Sequence, residues 1–360
     1  MNKKYFFTGL LVLVFFAQNV LACTVFNLTA KDGTIVSART MEFGYDVKSK
    51  VVVVPRGKSF MSPAPDNTKG LTWQGKYAFA GIDAFDDADA VFDGLNEAGL
   101  AFSALWYDSS MQWPEVPAGQ NDKALAHMFL GSWVLSQFSS VDEVKAALKD
   151  VYVYGLYIPQ MKQVPPMHFA VYDAKGGAIV VEYDNGQANI YDDPLGVMTN
   201  APKFPWHLTN LRNYLKMSEQ QSEPADYSGL TLKSMGHGSG MIGLPGDITP
   251  PSRFVKIAVL KHFALQPANA AGALNLARHI MNNVDIPLGI ASDLDKSGKV
   301  IYGEWTQWTT FRDQTSKVLY FTTYDNATMR KVDLAKLDLT QAKALSMSAD
   351  KEAVIDITDK

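Results

Sequence analysis

The sequence predicts an α+β fold in a single domain, on three observations. Short strand-like segments dominate the first hundred residues that follow an apolar N-terminal run. Helical segments come next, and strands and helices then alternate in blocks to the C-terminus, an order typical of sheets packed in layers. The 360 residues show no internal repeat, no low-complexity linker and no break in composition, which favours one domain.

The predicted strands are short, alternate in hydrophobicity and are separated by turn residues such as Asp32-Gly33. Asn96 and Gly99 are interpreted as turn residues with a structural role. The predicted strands cover 24–28, 34–40, 51–55, 77–82, 100–107, 168–172, 178–183, 188–191, 196–199, 306–312, 318–323 and 328–332.

Four helical segments are predicted. The first covers 123–137, and the second begins at Ser140, which forms a capping box with Glu143. The third covers 250–264, with Thr249 as its N-cap and a proline in first position, and the fourth covers 268–283.

Composition excludes several classes of protein. Hydrophobic residues make up 47% of the chain and charged residues 19%, which is typical of a globular protein. The formal net charge is −4 and the chain has no basic block beyond its first residues, so nucleic acid is not an expected partner. Cys23 is the one cysteine, which excludes an intrachain disulfide and a Cys-rich zinc site. The six histidines lack metal-ligand spacing, and we expect neither a metal nor a cofactor.

Residues 1–22 are typical of a secretory signal peptide. Lys3 and Lys4 precede an apolar run, and Val20-Leu21-Ala22 suits signal peptidase. The apolar run is about a dozen residues long, whereas a membrane-spanning helix needs roughly 20. We therefore expect export, to the periplasm, without stable membrane insertion after cleavage. Cleavage after Ala22 would make Cys23 the first residue.

An N-terminal cysteine supports two hypotheses. Its thiol lies beside a free α-amine, whose pKa of about 7.7–8.0 allows the amine to accept the thiol proton. Alternatively, residues 20–23 loosely resemble a lipobox, in which the cysteine carries lipid and the protein is an anchored, non-catalytic binding protein. A lipidated cysteine is usually followed by a flexible polar tether, whereas residues 24–29 read as a strand. The pattern favours the nucleophile.

Five segments, in order, resemble the choloylglycine hydrolase family, which includes bile salt hydrolases and penicillin V acylases. The resemblance extends over the whole chain after residue 22. The segments are Cys23 itself, Ser37-Ala38-Arg39-Thr40-Met41-Glu42, Asp93-Gly94-Leu95-Asn96-Glu97-Ala98-Gly99-Leu100, Gly196-Val197-Met198-Thr199-Asn200-Ala201-Pro202 and Gly243-Leu244-Pro245-Gly246-Asp247-Ile248-Thr249-Pro250-Pro251-Ser252-Arg253-Phe254.

The resemblance implies a four-layer αββα sandwich, hydrolysis of a linear amide and a homotetramer. Cys23 would attack the amide carbonyl with its own α-amine as base, forming a thioester acyl-enzyme. Arg39 would lower the pKa of the thiol. Asn200 would donate its amide to the developing oxyanion, and Arg253 would add a fixed charge near the site.

Two departures from the family pattern bear on the substrate. Glu42 stands where bile salt hydrolases have aspartate, so its carboxylate would hold the N-terminal amine through one more methylene. Trp106 stands where bile salt hydrolases have asparagine, as in the Gram-negative penicillin V acylase-like branch, whose members also cleave N-acyl homoserine lactones. We therefore rank aromatic or aliphatic acyl amides above conjugated bile salts. Phe43, Tyr45 and Phe85 are predicted to build an acyl pocket with Trp106.

Two further motifs are interpreted as coincidental. The glycines of 238–243 fit a dinucleotide-binding pattern, but Leu244-Pro245-Gly246 follows where a helix should begin. The segment 293–304 fits an EF-hand loop, but the residues after it read as a strand rather than a helix, so we expect a surface loop.

Overall fold

The computed structural model describes residues 22–85, 87–294 and 297–347. Apart from Ala22, the predicted signal peptide lies outside the described residues. Five α-helices occur in these ranges: α1 (Leu130–Gln137), α2 (Val141–Ala147), α3 (Phe204–Asn210), α4 (Pro250–Phe263) and α5 (Ala270–Met281).

The strands of the described ranges are β1 (Cys23–Thr29), β2 (Ile35–Phe43), β3 (Lys50–Val54), β4 (Ser59–Pro63), β5 (Lys69–Gln74), β6 (Phe79–Ala84), β7 (Asp87–Asn96), β8 (Ala101–Trp106), β9 (Ala124–Ala126), β10 (Tyr152–Tyr154), β11 (Met167–Tyr172), β12 (Ala178–Asp184), β13 (Gln187–Asp192), β14 (Val197–Met198), β15 (Ala225–Tyr227), β16 (Leu230–Leu232), β17 (Ala291–Leu294), β18 (Val300–Asp313), β19 (Val318–Thr323), β20 (Asn326–Asp333) and β21 (Lys343–Ser346).

Two large sheets form the centre of the molecule. The first has the strand order β14-β1-β2-β18-β19-β20, with β17 also paired to β18. The second has the order β13-β12-β11-β8-β7-β6-β3-β21. Helices α4 and α5 pack against the first sheet, and α1 packs against the second. The layers are therefore helix, sheet, sheet, helix, as predicted.

A buried ion pair joins the two sheets. Asp93 on β7 pairs with Arg312 on β18, and both side chains are fully buried. The hydroxyls of Ser103 and Thr310 each donate to the Asp93 carboxylate at 2.6 Å. A buried carboxylate needs such partners, because an unpaired charge in the interior costs several kcal/mol. The contacts fix the position of one sheet relative to the other.

Most predicted elements are confirmed, but the first predicted helix is wrong in its first half. The backbone of Ala124–Ala126 pairs in parallel with Tyr152–Tyr154, and the hydroxyl of Ser62 accepts from the amide of Ala126 at 2.8 Å. The α-helix begins only at Leu130. Tertiary pairing outweighs the helical spacing of the side chains here.

The two predicted caps differ in outcome. The Ser140 hydroxyl accepts from the amide of Glu143 at 3.3 Å, as expected of an N-cap. The Glu143 carboxylate bonds back to the amide of Ser139 rather than of Ser140. Thr249 occupies the N-cap position of α4 but caps no amide. Its hydroxyl donates to Asp247 instead.

Neither of the two motifs interpreted as coincidental forms the site that it resembles, but the surface loop expected at 293–304 is wrong, because both ends of that segment lie in the paired strands β17 and β18. Residues 238–243 contain one short 3₁₀ turn, Ser239–Met241, and open no α-helix. Glu304 is followed by the rest of strand β18, so 293–304 is not an EF-hand. Within the described residues, no three His, Cys, Asp or Glu side chains group as metal ligands would. None of the helices described is long and apolar enough to cross a bilayer.

Candidate active site

Cys23 is the first residue of β1 and lies between the two sheets. It pairs with Met41 on β2, and its side chain is buried. The strand it begins is buried from Cys23 to Leu28, which suits a core strand and not a flexible tether. In the full-length chain the Cys23 nitrogen is still in its peptide bond to Ala22.

Asn200 holds the Cys23 nitrogen. Its Oδ1 accepts from Cys23 N at 2.7 Å and from Arg253 Nη2 at 2.7 Å. Its Nδ2 donates to the carbonyl oxygen of Trp106 at 2.8 Å. Three of the residues predicted for the site therefore meet through one side-chain amide. One hydrogen bond from Nδ2 leaves its second proton unassigned, and the role of Asn200 as an oxyanion donor stays a prediction.

Arg39 brings its guanidinium to the thiol. Its Nη2 lies 3.8 Å from Cys23 Sγ and donates to the carbonyl oxygen of Ala104, on β8 of the second sheet, at 2.7 Å. The guanidinium carbon also lies 4.7 Å from the centre of the Trp308 ring, within cation–π distance. Among the residues that the structure describes, Nε and Nη1 of Arg39 have no hydrogen-bond partner. These two nitrogens can donate to a further acceptor.

Arg253 fixes the same strand end from the helix side. It lies in the first turn of α4 and is fully buried. Its Nη1 donates to the Cys23 carbonyl oxygen and to the Thr24 hydroxyl, both at 2.6 Å, and its Nε donates to Ile248 O at 2.8 Å. The guanidinium thus fixes both the main chain of Cys23 and, through Nη2, the Asn200 side chain.

Glu42 is close to the site but bonded elsewhere. Thr306 Oγ1 donates to its carboxylate at 2.6 Å and Thr40 Oγ1 at 3.2 Å. Burial raises its pKa from 4.5 to about 7, although Arg253 opposes the shift. The predicted contact between Glu42 and a free Cys23 amine stays a prediction, because that nitrogen belongs to a peptide bond here.

Competing effects set the acidity of the Cys23 thiol. Burial is the largest effect and raises its pKa. The positive charge of Arg39 lowers it, the carboxylate of Glu42 raises it, and Arg253 lowers it. Since the net shift is upward, the thiol needs a base to ionise near neutral pH. A free α-amine on the same residue would supply one.

Three of the four predicted pocket aromatics lie together. Phe43 meets Tyr45 edge-on at 4.7 Å between ring centres and Trp106 at 6.5 Å. Phe43 ends the strand that carries Arg39, and the Trp106 carbonyl holds Asn200. The described ring contact of Phe85 is with Phe92, at 6.2 Å, so the structure does not bring Phe85 into this group.

The family model for "linear amide C-N hydrolases, choloylglycine hydrolase family" matches residues 23–355. The chain belongs to this family. Its catalysed reaction is therefore the hydrolysis of a carbon–nitrogen bond in a linear amide.

Relatives and solved structures agree with the family assignment. The chain is 32% identical over 320 residues to a bile salt hydrolase/transferase of Clostridium perfringens, covering 88% of this chain and 94% of the relative. It is 27% identical over 180 residues to a penicillin V acylase of Pectobacterium atrosepticum, covering 48% and 47%. A crystallised mutant of the conjugated bile acid hydrolase from Clostridium perfringens superposes with a TM-score of 0.81 at 27% identity, covering 93% of this chain and 100% of that one.

Several residues around the site were missed by the sequence analysis. Trp308 lies over Arg39, and Thr306 holds Glu42. Both are on β18, where the register shifts between Thr306 and Trp308. The strand was predicted, but the bulge that aims these two side chains has no signal in the alternation of residues. His168 and His207, which contact the carbonyl oxygens of Thr199 and Asn200, were missed as well.

The raised pKa of Glu42 predicts a pH-dependent contribution to stability. The folded chain binds the Glu42 proton more tightly than the unfolded chain, so this contribution falls as pH rises from about 4.5 to about 7. The free energy of unfolding of the parent chain, measured relative to that of the Glu42→Gln variant, should fall by about 3 kcal/mol over that pH range and then level off. Denaturant unfolding of the chain that retains Ala22 measures it.

Glu143→Gln is the control for this test. The amide of Ser139 lowers the pKa of Glu143, so its contribution should be lost as pH falls, opposite in sign to that of Glu42. A Glu42 contribution that rises with pH would show that the buried carboxyl is ionised beside Arg253.

Proposed function

We propose that the chain is exported, cleaved after Ala22, and hydrolyses an N-acyl amide with Cys23 as an N-terminal nucleophile. One observation carries this proposal. The nitrogen and the sulfur of Cys23 are held at the end of one buried strand, the nitrogen by Asn200 at 2.7 Å and the sulfur beside Arg39 at 3.8 Å. A free amine at that nitrogen would lie next to the thiol whose proton it must take.

The reaction would proceed in two steps. The thiol gives its proton to the α-amine, Sγ bonds to the amide carbonyl carbon, and the C–N bond breaks as the ammonium returns the proton to the leaving amine. Water activated by the amine then cleaves the thioester and releases the acid. Nε and Nη1 of Arg39, which have no hydrogen-bond partner among the described residues, are available to the substrate or to the developing negative charge.

We propose an aromatic or aliphatic acyl group as the recognised part of the substrate, as in penicillin V or an N-acyl homoserine lactone. The edge-to-face contacts of Phe43, Tyr45 and Trp106 favour a flat or flexible apolar group. A conjugated bile salt is the second candidate, because the relative with 32% identity over most of the chain is a bile salt hydrolase/transferase.

Trp106 variants test this order of substrates. The processed enzyme should show a kcat/KM for penicillin V at least about 10-fold above that for a taurine-conjugated bile salt, since apolar contacts contribute about 1–3 kcal/mol per group. Trp106→Asn should lower that ratio and Trp106→Phe should keep it. Cys23→Ala should hydrolyse neither substrate and retain the fold by circular dichroism. A parent enzyme that prefers the bile salt would reverse the order proposed, and turnover by Cys23→Ala would refute the mechanism.

We also propose a periplasmic homotetramer. The hairpin formed by β15 and β16 is exposed at all of its six residues, including Tyr227, Leu230 and Leu232. An isolated two-stranded hairpin is marginally stable in water. Packing of the hairpin against a second copy of the chain would cover these side chains.

Light scattering on the processed protein tests the assembly. Leu230→Asp combined with Leu232→Asp should reduce the tetramer to a smaller species, because a buried unpaired carboxylate is costly. Leu265→Asp is the control, since Leu265 is 92% exposed outside the hairpin, in the connection between α4 and α5. A parent protein that is monomeric would contradict the proposal.

A further inference from the structure

Two buried histidines contact consecutive carbonyl groups of the segment that carries Asn200. His168 Nε2 lies 2.8 Å from the carbonyl oxygen of Thr199, and His207 Nε2 lies 2.9 Å from that of Asn200. Both rings are at most 2% exposed. Because a carbonyl oxygen can only accept, each Nε2 carries the proton in these bonds.

Beyond the end of strand β14, hydrogen bonds from side chains replace the backbone hydrogen bonds of the sheet. Strand β14 ends at Met198, and its pairing with β1 involves only Val197 and Met198. Thr199 and Asn200 lie beyond that pairing. The two histidines therefore fix the main chain at the point where the Asn200 side chain must reach the Cys23 nitrogen.

Each histidine is itself held in place. The His168 ring stacks on Tyr107, with 4.7 Å between ring centres and 10° between planes. Its Nδ1 lies 3.2 Å from Glu182 Oε1, and the same oxygen accepts from the amide of Phe204 at 2.9 Å. Phe204 begins α3, the helix that carries His207. Glu182 therefore links His168 to the first residue of the helix that carries His207.

His207 presents a single donor to Asn200. Its ring stacks on Phe254, with 4.7 Å between ring centres and 17° between planes. Burial lowers its pKa to about 4, so the ring is neutral at physiological pH. Because Nε2 carries the one proton, Nδ1 is a bare acceptor, and it has no partner among the described residues.

We propose that His168 and His207 are positioning residues for amide hydrolysis, which set the Asn200 side chain against the Cys23 nitrogen through the main-chain carbonyls of Thr199 and Asn200. Neither histidine touches the thiol. Their action rests on the proposed function, because Asn200 matters to the rate only if the Cys23 amine is the base. Misplacing a catalytic group by about 1 Å costs up to roughly 100-fold in rate.

His207 variants test the proposal in the processed enzyme. His207→Phe keeps the stack on Phe254 and removes the donor, so kcat should fall about 10- to 100-fold while KM stays within about twofold. His207→Gln places an amide nitrogen near the position of Nε2 and should recover most of kcat. His207→Asn, whose amide is shorter and lies nearer the position of Nδ1, should not.

His127 supplies the matched control. It is buried like His207, with 2% of its surface exposed. Its Nδ1 accepts from the amide of Leu156 at 3.0 Å, a contact that involves neither Thr199 nor Asn200. His127→Phe should leave kcat unchanged even where it lowers the melting temperature as much as His207→Phe does. Equal losses of kcat in the two variants, or full activity in His207→Phe, would overturn the proposal. If His207→Phe does not fold, equal activity of the Gln and Asn variants would overturn it.

Alkylation of Cys23 by iodoacetamide separates this proposal from the proposed function, since it needs no substrate. A displaced Asn200 changes the surroundings of the amine, so the pH midpoint of alkylation should shift in His207→Phe and not in His127→Phe. A shift without amide turnover in the parent enzyme would refute the proposed function and keep the positioning role. Turnover without any shift in His207→Phe would refute the positioning role and keep the function.

Discussion

The side-chain amide of Asn200 is the contact on which the site depends. It joins β1 through the Cys23 nitrogen, β8 through the Trp106 carbonyl, and α4 through Arg253, with three hydrogen bonds of 2.7 to 2.8 Å. Two of these elements belong to different sheets and the third to a helix layer. One amide therefore aligns three layers at the residue whose sulfur and nitrogen would both react.

Three arginine side chains are buried in the interior of the protein. Arg39, Arg253 and Arg312 are all fully buried, and burial of a guanidinium costs several kcal/mol unless its donors are bonded. Arg312 is paired with Asp93, and Arg253 donates to carbonyl and hydroxyl oxygens. Arg39 and Arg312 each have only one bonded nitrogen among the described residues, but that of Arg312 contacts the Asp93 carboxylate, whereas that of Arg39 donates to a main-chain carbonyl oxygen. Incomplete bonding beside a thiol is destabilising in a core and useful in a site that receives a polar group.

Local sequence predicted much of the fold and part of the site. Strand and helix order followed from alternation and capping, and the family segments placed Cys23, Arg39, Asn200 and Arg253 in one group, where the structure puts them. The strand Ala124–Ala126 was missed, because its amides find partners far along the chain. Contacts made through main-chain carbonyls, such as those of the two histidines, leave no trace in residue spacing.

The central claim is that Cys23 reacts as an unmodified first residue. The most direct test is the intact mass of the enzyme purified from its native compartment. The mass is measured before and after brief exposure to a large excess of an activated N-acyl substrate. We expect a chain that begins at Cys23 without modification and that gains one acyl group, lost on longer incubation and absent in Cys23→Ala. A lipid on Cys23, or full activity in a chain that retains residues 1–22, would contradict the account.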